Sequence, residues 1–111
     1  MQPIDIAKAI DCLGDESVFR LTVESFLGET DSMIDSLGEA IESGNFETIK
    51  EKAHWIKGGL VYLHAGPSAS AAKELEEAAS GQDLSGVKSL FQRLNEEIVK
   101  LKKALAEQGP S

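Results

Sequence analysis

The chain has 111 residues, enough for one domain with one core, and its 41% hydrophobic and 27% charged content is that of an ordinary globular fold. A formal net charge of −8 speaks against a nucleic-acid binder, which needs a positive surface to displace counterions, and against docking on anionic lipid. Aromatic residues are only 5%, so the core must be mainly aliphatic, and no apolar run is long enough to span a membrane.

Five helical segments follow in chain order. Asp5 can cap a short one through Ile6, Ile10 and Leu13 that stops at Gly14. Asp15 can cap a long second segment with the apolar stripe Phe19, Val23, Phe26, Thr30, Met33, Leu37 and Ile41, ending at Ser43-Gly44. Gly28 and Gly38 lie inside it and leave room for a local bend. Asn45 can cap the third, in which Phe46, Ile49, Ala53, Ile56, Leu60 and Leu63 recur at steps of three and four. Gly66-Pro67 breaks the chain, and the fourth segment is expected from about Ser68 to Ala79, with a stop at Ser80-Gly81. Asp83 can cap the fifth, with Val87, Phe91, Leu94, Ile98, Leu101 and Leu105 on one face; the tail from Gln108 to Ser111 is expected to fray.

No stretch alternates as a strand does. The expected fold is all-α: an antiparallel up-down-up-down four-helix bundle, with the short first helix across one end. One domain over residues 1–111 is expected, its helical core at about 5–107. The N-terminal MQPIDIAKAID shows no secretion signal and Cys12 is alone, so a reducing, cytoplasmic location is expected.

The third segment carries Ala53-His54-Trp55-Ile56-Lys57-Gly58-Gly59-Leu60. Two adjacent glycines inside a helix should cost roughly 1 kcal/mol each relative to alanine. At 100° per residue His54 points away from Ile49, Ile56 and Leu60, toward solvent, with Lys50, Lys57, Gly58 and Val61 on its side. Lys57 and Gly58, three and four residues on, are its direct neighbours. Gly58 thus removes the side chain that would overhang the imidazole, while Gly59 points to the core edge and suits close helix packing. A lone exposed histidine is most often a solvated residue without a role; the unexplained glycine beside it is what favours a functional one. In the fourth segment Glu76 sits at the edge of the Ala72, Leu75, Ala79 stripe, where it either faces the neighbouring helix or points into solvent.

The run from Ala53 through His54-Trp55-Ile56-Lys57-Gly58 resembles the H-x-x-K-G signature of histidine phosphotransfer (HPt) domains. The likeness extends from about Ile6 to Leu105 and includes the long second helix, the Gly44-Asn45-Phe46 entry to the third and the Leu75-Glu76 pair. It implies that His54 is phosphorylated and relays a phosphoryl group between aspartates of response-regulator receiver domains. It also implies that Glu76 hydrogen-bonds the imidazole Nδ1 and leaves Nε2 as nucleophile. An imidazole titrates near pH 6.5, so a neutral ring nitrogen is available at neutral pH, and Lys57 can offset charge on the phosphoryl oxygens.

A receiver would dock on Lys50, Lys57, Gly58 and Val61, joined by a strip of the second segment. The other partner implied is a sensor histidine kinase, with the chain itself a monomeric phosphocarrier rather than an autonomous enzyme. Two histidines are too few for a metal cluster and no nucleotide-binding glycine loop is present, so no cofactor or metal is expected. Two other readings stay open: the phospho-accepting module of a chemotaxis-type histidine kinase, and a non-catalytic helical adaptor. Two features depart from the family pattern. The family's usual Gly-Ala is His64-Ala65 here, with the glycine moved to Gly66; His64 reads as structural, near a helix C-terminus. Trp55 is larger than usual after the histidine and, with Tyr62, is expected to pack under the first short helix rather than to meet a partner.

Overall fold

The computed structural model describes residues 4–63 and 65–107. Five helices follow one another: α1 (Ile6–Leu13), α2 (Glu16–Ser43), α3 (Phe46–Tyr62), α4 (Gly66–Ser80) and α5 (Leu84–Glu107). No strand occurs among the described residues. The expected capping residues all act. The Asp5 carboxylate accepts from the Lys8 N–H, Asp15 from Ser17, Asn45 from Thr48 and Asp83 from Gly86, each satisfying a backbone donor that a helix start leaves without an internal partner. Gly44 closes α2 in the left-handed region at φ 72°, and its N–H bonds back to Ala40 and Ile41.

One boundary differs from the sequence reading. α4 starts at Gly66, two residues earlier than expected, with Pro67 in its first turn. The proline's missing N–H costs nothing there, and Gly66 has no Cβ to meet the proline ring, so the usual bar to helix before proline is weak. α2 runs from Glu16 to Ser43 without a break at Gly28 or Gly38. His64 and the tail from Gln108 to Ser111 lie outside the described residues.

α3 packs on α4, α4 on α5 and α2 on α3, while a thinner α2–α5 contact closes the ring and α1 packs on α2. The long axis of 43 Å is set by α2: its 28 residues at about 1.5 Å each span about 42 Å. The core is aliphatic, with Leu37, Ile49, Ile56, Leu60, Leu63, Leu75, Leu94 and Leu101 fully buried; Phe19 and Phe26 are its buried aromatics. Every residue of the expected α3 stripe except the half-buried Phe46 is inside. The orientation of α3, and with it the direction of its outer face, follows from that burial.

Candidate functional site

Burying Ala53 and Ile56 turns His54 outward, and its side chain is 66% exposed. On α4, Ala72, Leu75 and Ala79 are buried, which places Glu76 at the rim of that face, turned toward α3 and only 17% exposed. The two residues meet across the α3–α4 seam: His54 Nδ1 lies 2.9 Å from Glu76 Oε2. The other carboxylate oxygen accepts from Lys57 Nζ at 3.0 Å. One carboxylate thus joins the imidazole and the ammonium, both carried by α3 one turn apart.

The electrostatics decide which ring nitrogen is free. Partial burial raises the Glu76 pKa, but the hydrogen bonds from Lys57 and His54 and their charges outweigh it, and the net direction is below the ordinary value of 4.5. Glu76 is therefore ionised at neutral pH and can only accept. Nδ1 must be the donor, and in the neutral ring the lone pair sits on Nε2.

The adjacent glycines serve two different needs. A Cβ built on Gly58 meets nothing within 4 Å, so no packing requires glycine there; a longer side chain would grow into open space beside the ring. A Cβ on Gly59 would fall 2.1 Å from the Phe26 ring of α2, so glycine there admits the helix contact. Trp55 does not lie enclosed beneath α1 as expected: its ring stacks on Phe26 at 6.3 Å between centroids, and 40% of its surface stays exposed. α2 holds its large apolar residues in place for the core, and the aromatic of α3 follows them.

Of the residues named from sequence, His54, Lys57 and Glu76 come together, and Lys50, Gly58 and Val61 are exposed on the same outer side of α3. The Lys57 ammonium is paired with Glu76, one turn from the ring. The sequence reading missed Leu21, which is 68% exposed on α2 and lines a shallow depression with Thr22, Ser25, Glu29 and Phe26, the residue on which Trp55 stacks. Its signal was present as an apolar residue off the Phe19, Val23, Phe26 stripe. Among the described residues no group of three or more potential metal ligands occurs, and no helix is long and apolar enough to cross a membrane.

The family model for the Hpt domain matches residues 22–106. The fold is similar to the crystal structure of a histidine-containing phosphotransfer protein from Medicago truncatula, with a TM-score of 0.77 at 18% identity, over 98% of this chain and 85% of that one. No curated protein matches the sequence significantly. The family match covers well over half of the chain and includes the histidine, the lysine and the carboxylate: this protein belongs to the Hpt family, and its function is histidine phosphotransfer in a two-component phosphorelay.

Proposed function

We propose that His54 is the phosphoacceptor and that it shuttles a phosphoryl group between aspartates of receiver domains. The observation that carries this reading is the Nδ1–Glu76 hydrogen bond on a ring whose other side is open. In the forward step the Nε2 lone pair attacks the phosphorus of a receiver's aspartyl phosphate, the N–P bond forms, the P–O bond breaks, and the aspartate leaves as a carboxylate. The proton stays on Nδ1, so the ring gains a positive charge, and Glu76 faces that charge at hydrogen-bond distance. The reverse step returns the ring to neutrality when a second receiver's carboxylate takes the phosphoryl group. Glu76 is thus a positioning and charge-balancing residue. Lys57 holds the carboxylate in place and lies one turn from the ring, near enough in sequence to share its charge with the phosphoryl oxygens.

The docking surface centres on Lys50, Lys57, Gly58 and Val61 of α3 and extends over Trp55 to Leu21 on α2. Val61 and Leu21 supply exposed apolar area, and the lysines lie at the rim, where charge sets association rate and partner choice more than affinity. Receiver domains and a sensor histidine kinase are the partners of this reading. The chain acts as a monomeric cytoplasmic phosphocarrier over its whole length, without a cofactor of its own; any Mg²⁺ belongs to the receiver's acidic pocket. The test is positional. After incubation with a phosphorylated receiver, fragmentation mass spectrometry under neutral conditions should find the phosphoryl group on His54, and its exclusive recovery on another residue would sink the assignment.

A further inference from the structure

The α2–α5 seam lies across the ring of helices from the α3–α4 seam that holds His54. An open groove of about 670 Å³ runs along it. The half-buried Ile34 and Phe91 contribute its apolar surface, and Asp35, Glu39 and Glu42 form its rim on α2. Those three carboxylates are exposed, recur at steps of four and three on one helix face, and have no cation within ion-pair distance among the described residues. Like charges at such spacing repel. The nearest ion pair on this seam, Lys102 with Asp31, lies beyond the rim and is already made. On the α5 side Asn95 lines the groove, and Val99, one turn further, is 64% exposed with no core role.

We propose that this groove docks a basic amphipathic helix of a partner protein, apolar side chains against Ile34, Phe91 and Val99 and Lys or Arg side chains along the Asp35–Glu42 rim. The groove is too open to enclose a small molecule, and its acidic rim is complementary to a cation-bearing helix. A second copy of this chain is a poor occupant, since it brings a net charge of −8 and the same acidic rim. Because the groove is on the far side from His54, its occupant leaves the phosphotransfer face free and can hold the domain while receivers exchange.

The test titrates isotope-labelled protein with a short synthetic amphipathic peptide that has leucines along one face and lysines beside them. A control peptide keeps the lysines and replaces the leucines by serine. The expected result is amide shifts at Asp35, Gly38, Glu39, Asn95 and Val99, binding about tenfold weaker for the control peptide and for a Glu39→Lys/Glu42→Lys variant, and unchanged phosphoryl uptake by that variant. No binding, or equal binding of both peptides with shifts spread to Glu47 and Glu51, would overturn the proposal. So would a sedimenting dimer that the same double substitution dissolves, which would make a second copy the occupant. None of these outcomes bears on phosphotransfer at His54.

Discussion

Glu76 Oε2 sits 2.9 Å from Nδ1 of His54, a residue 22 positions earlier in the chain and on the neighbouring helix. That contact makes Nε2 the free nitrogen, and the same carboxylate holds Lys57 through its other oxygen. Replacing Glu76 separates the parts of its action. Glu76→Gln keeps an acceptor for Nδ1–H but cannot balance the charge the ring gains on phosphorylation; Glu76→Ala removes both. A charge-assisted hydrogen bond contributes about 1.5–3 kcal/mol, so transfer from a phosphorylated receiver should slow about tenfold in Glu76→Gln and further in Glu76→Ala. Stopped-flow transfer rates check this, and equal rates in all three proteins would remove Glu76 from the mechanism.

The same carboxylate predicts a pH effect on stability. Its folded pKa lies below the ordinary 4.5, so in acid the unfolded chain binds this proton first. The stabilisation is fully present above pH 4.5 and is lost as pH falls through the folded value. Urea unfolding of the wild type should therefore lose more stability than Glu76→Gln between pH 5 and pH 3, the other carboxylates being common to both. Parallel curves would mean that Glu76 is not held in its ionised form.

Gly58 and Gly59 should respond in opposite ways to a side chain. A Cβ at Gly58 meets nothing within 4 Å, so Gly58→Leu should gain up to about 1 kcal/mol from helix propensity, while slowing transfer at least about tenfold, because the added side chain overhangs the imidazole. Gly59→Ala pushes its Cβ into the Phe26 ring and should lose about 1–3 kcal/mol through overpacking. Chemical denaturation together with transfer assays separates the two. A Gly58→Leu protein that transfers at the wild-type rate would contradict the steric account of that glycine.

Much of this was readable in the residues, for reasons that also mark where the reading stops. Caps and a 3.6-residue period are local, so Asp5, Asp15, Asn45 and Asp83 predict the starts of four helices. The outward direction of His54 follows from the buried Ile49–Leu60 stripe alone. The start of α4 depended on a glycine relaxing the rule for residues before proline, an exception that the dipeptide Gly66-Pro67 hides. The pairing of Lys57 with Glu76 depends on how α3 and α4 rotate against each other, which neither helix specifies by itself. Leu21 escaped notice because single exposed apolar residues are common on any surface. The stacking of Trp55 on Phe26 joins α3 to α2, a contact that neither helix specifies by itself.

The apolar part of the docking surface makes its own prediction. Leu21→Asp and Val61→Asp alter exposed residues and should leave stability within about 0.5 kcal/mol. Each should weaken receiver binding about tenfold, as a charge left unpaired in an apolar contact does. Lys50→Glu should act mainly on the association rate and its salt dependence. Calorimetric titration with a receiver measures the first two and stopped-flow the third; unchanged affinity in both aspartate variants would place the docking face elsewhere.

The most direct test of the central claim compares phosphoryl uptake by the wild type and His54→Gln from the same phosphorylated receiver. His54 is exposed and contributes nothing to the core, and a glutamine amide can still donate to Glu76, so the variant should fold with a melting temperature close to that of the wild type. The account predicts an acid-labile, base-stable label on the wild type and none on His54→Gln; a folded His54→Gln protein that still takes up acid-labile phosphate would contradict it.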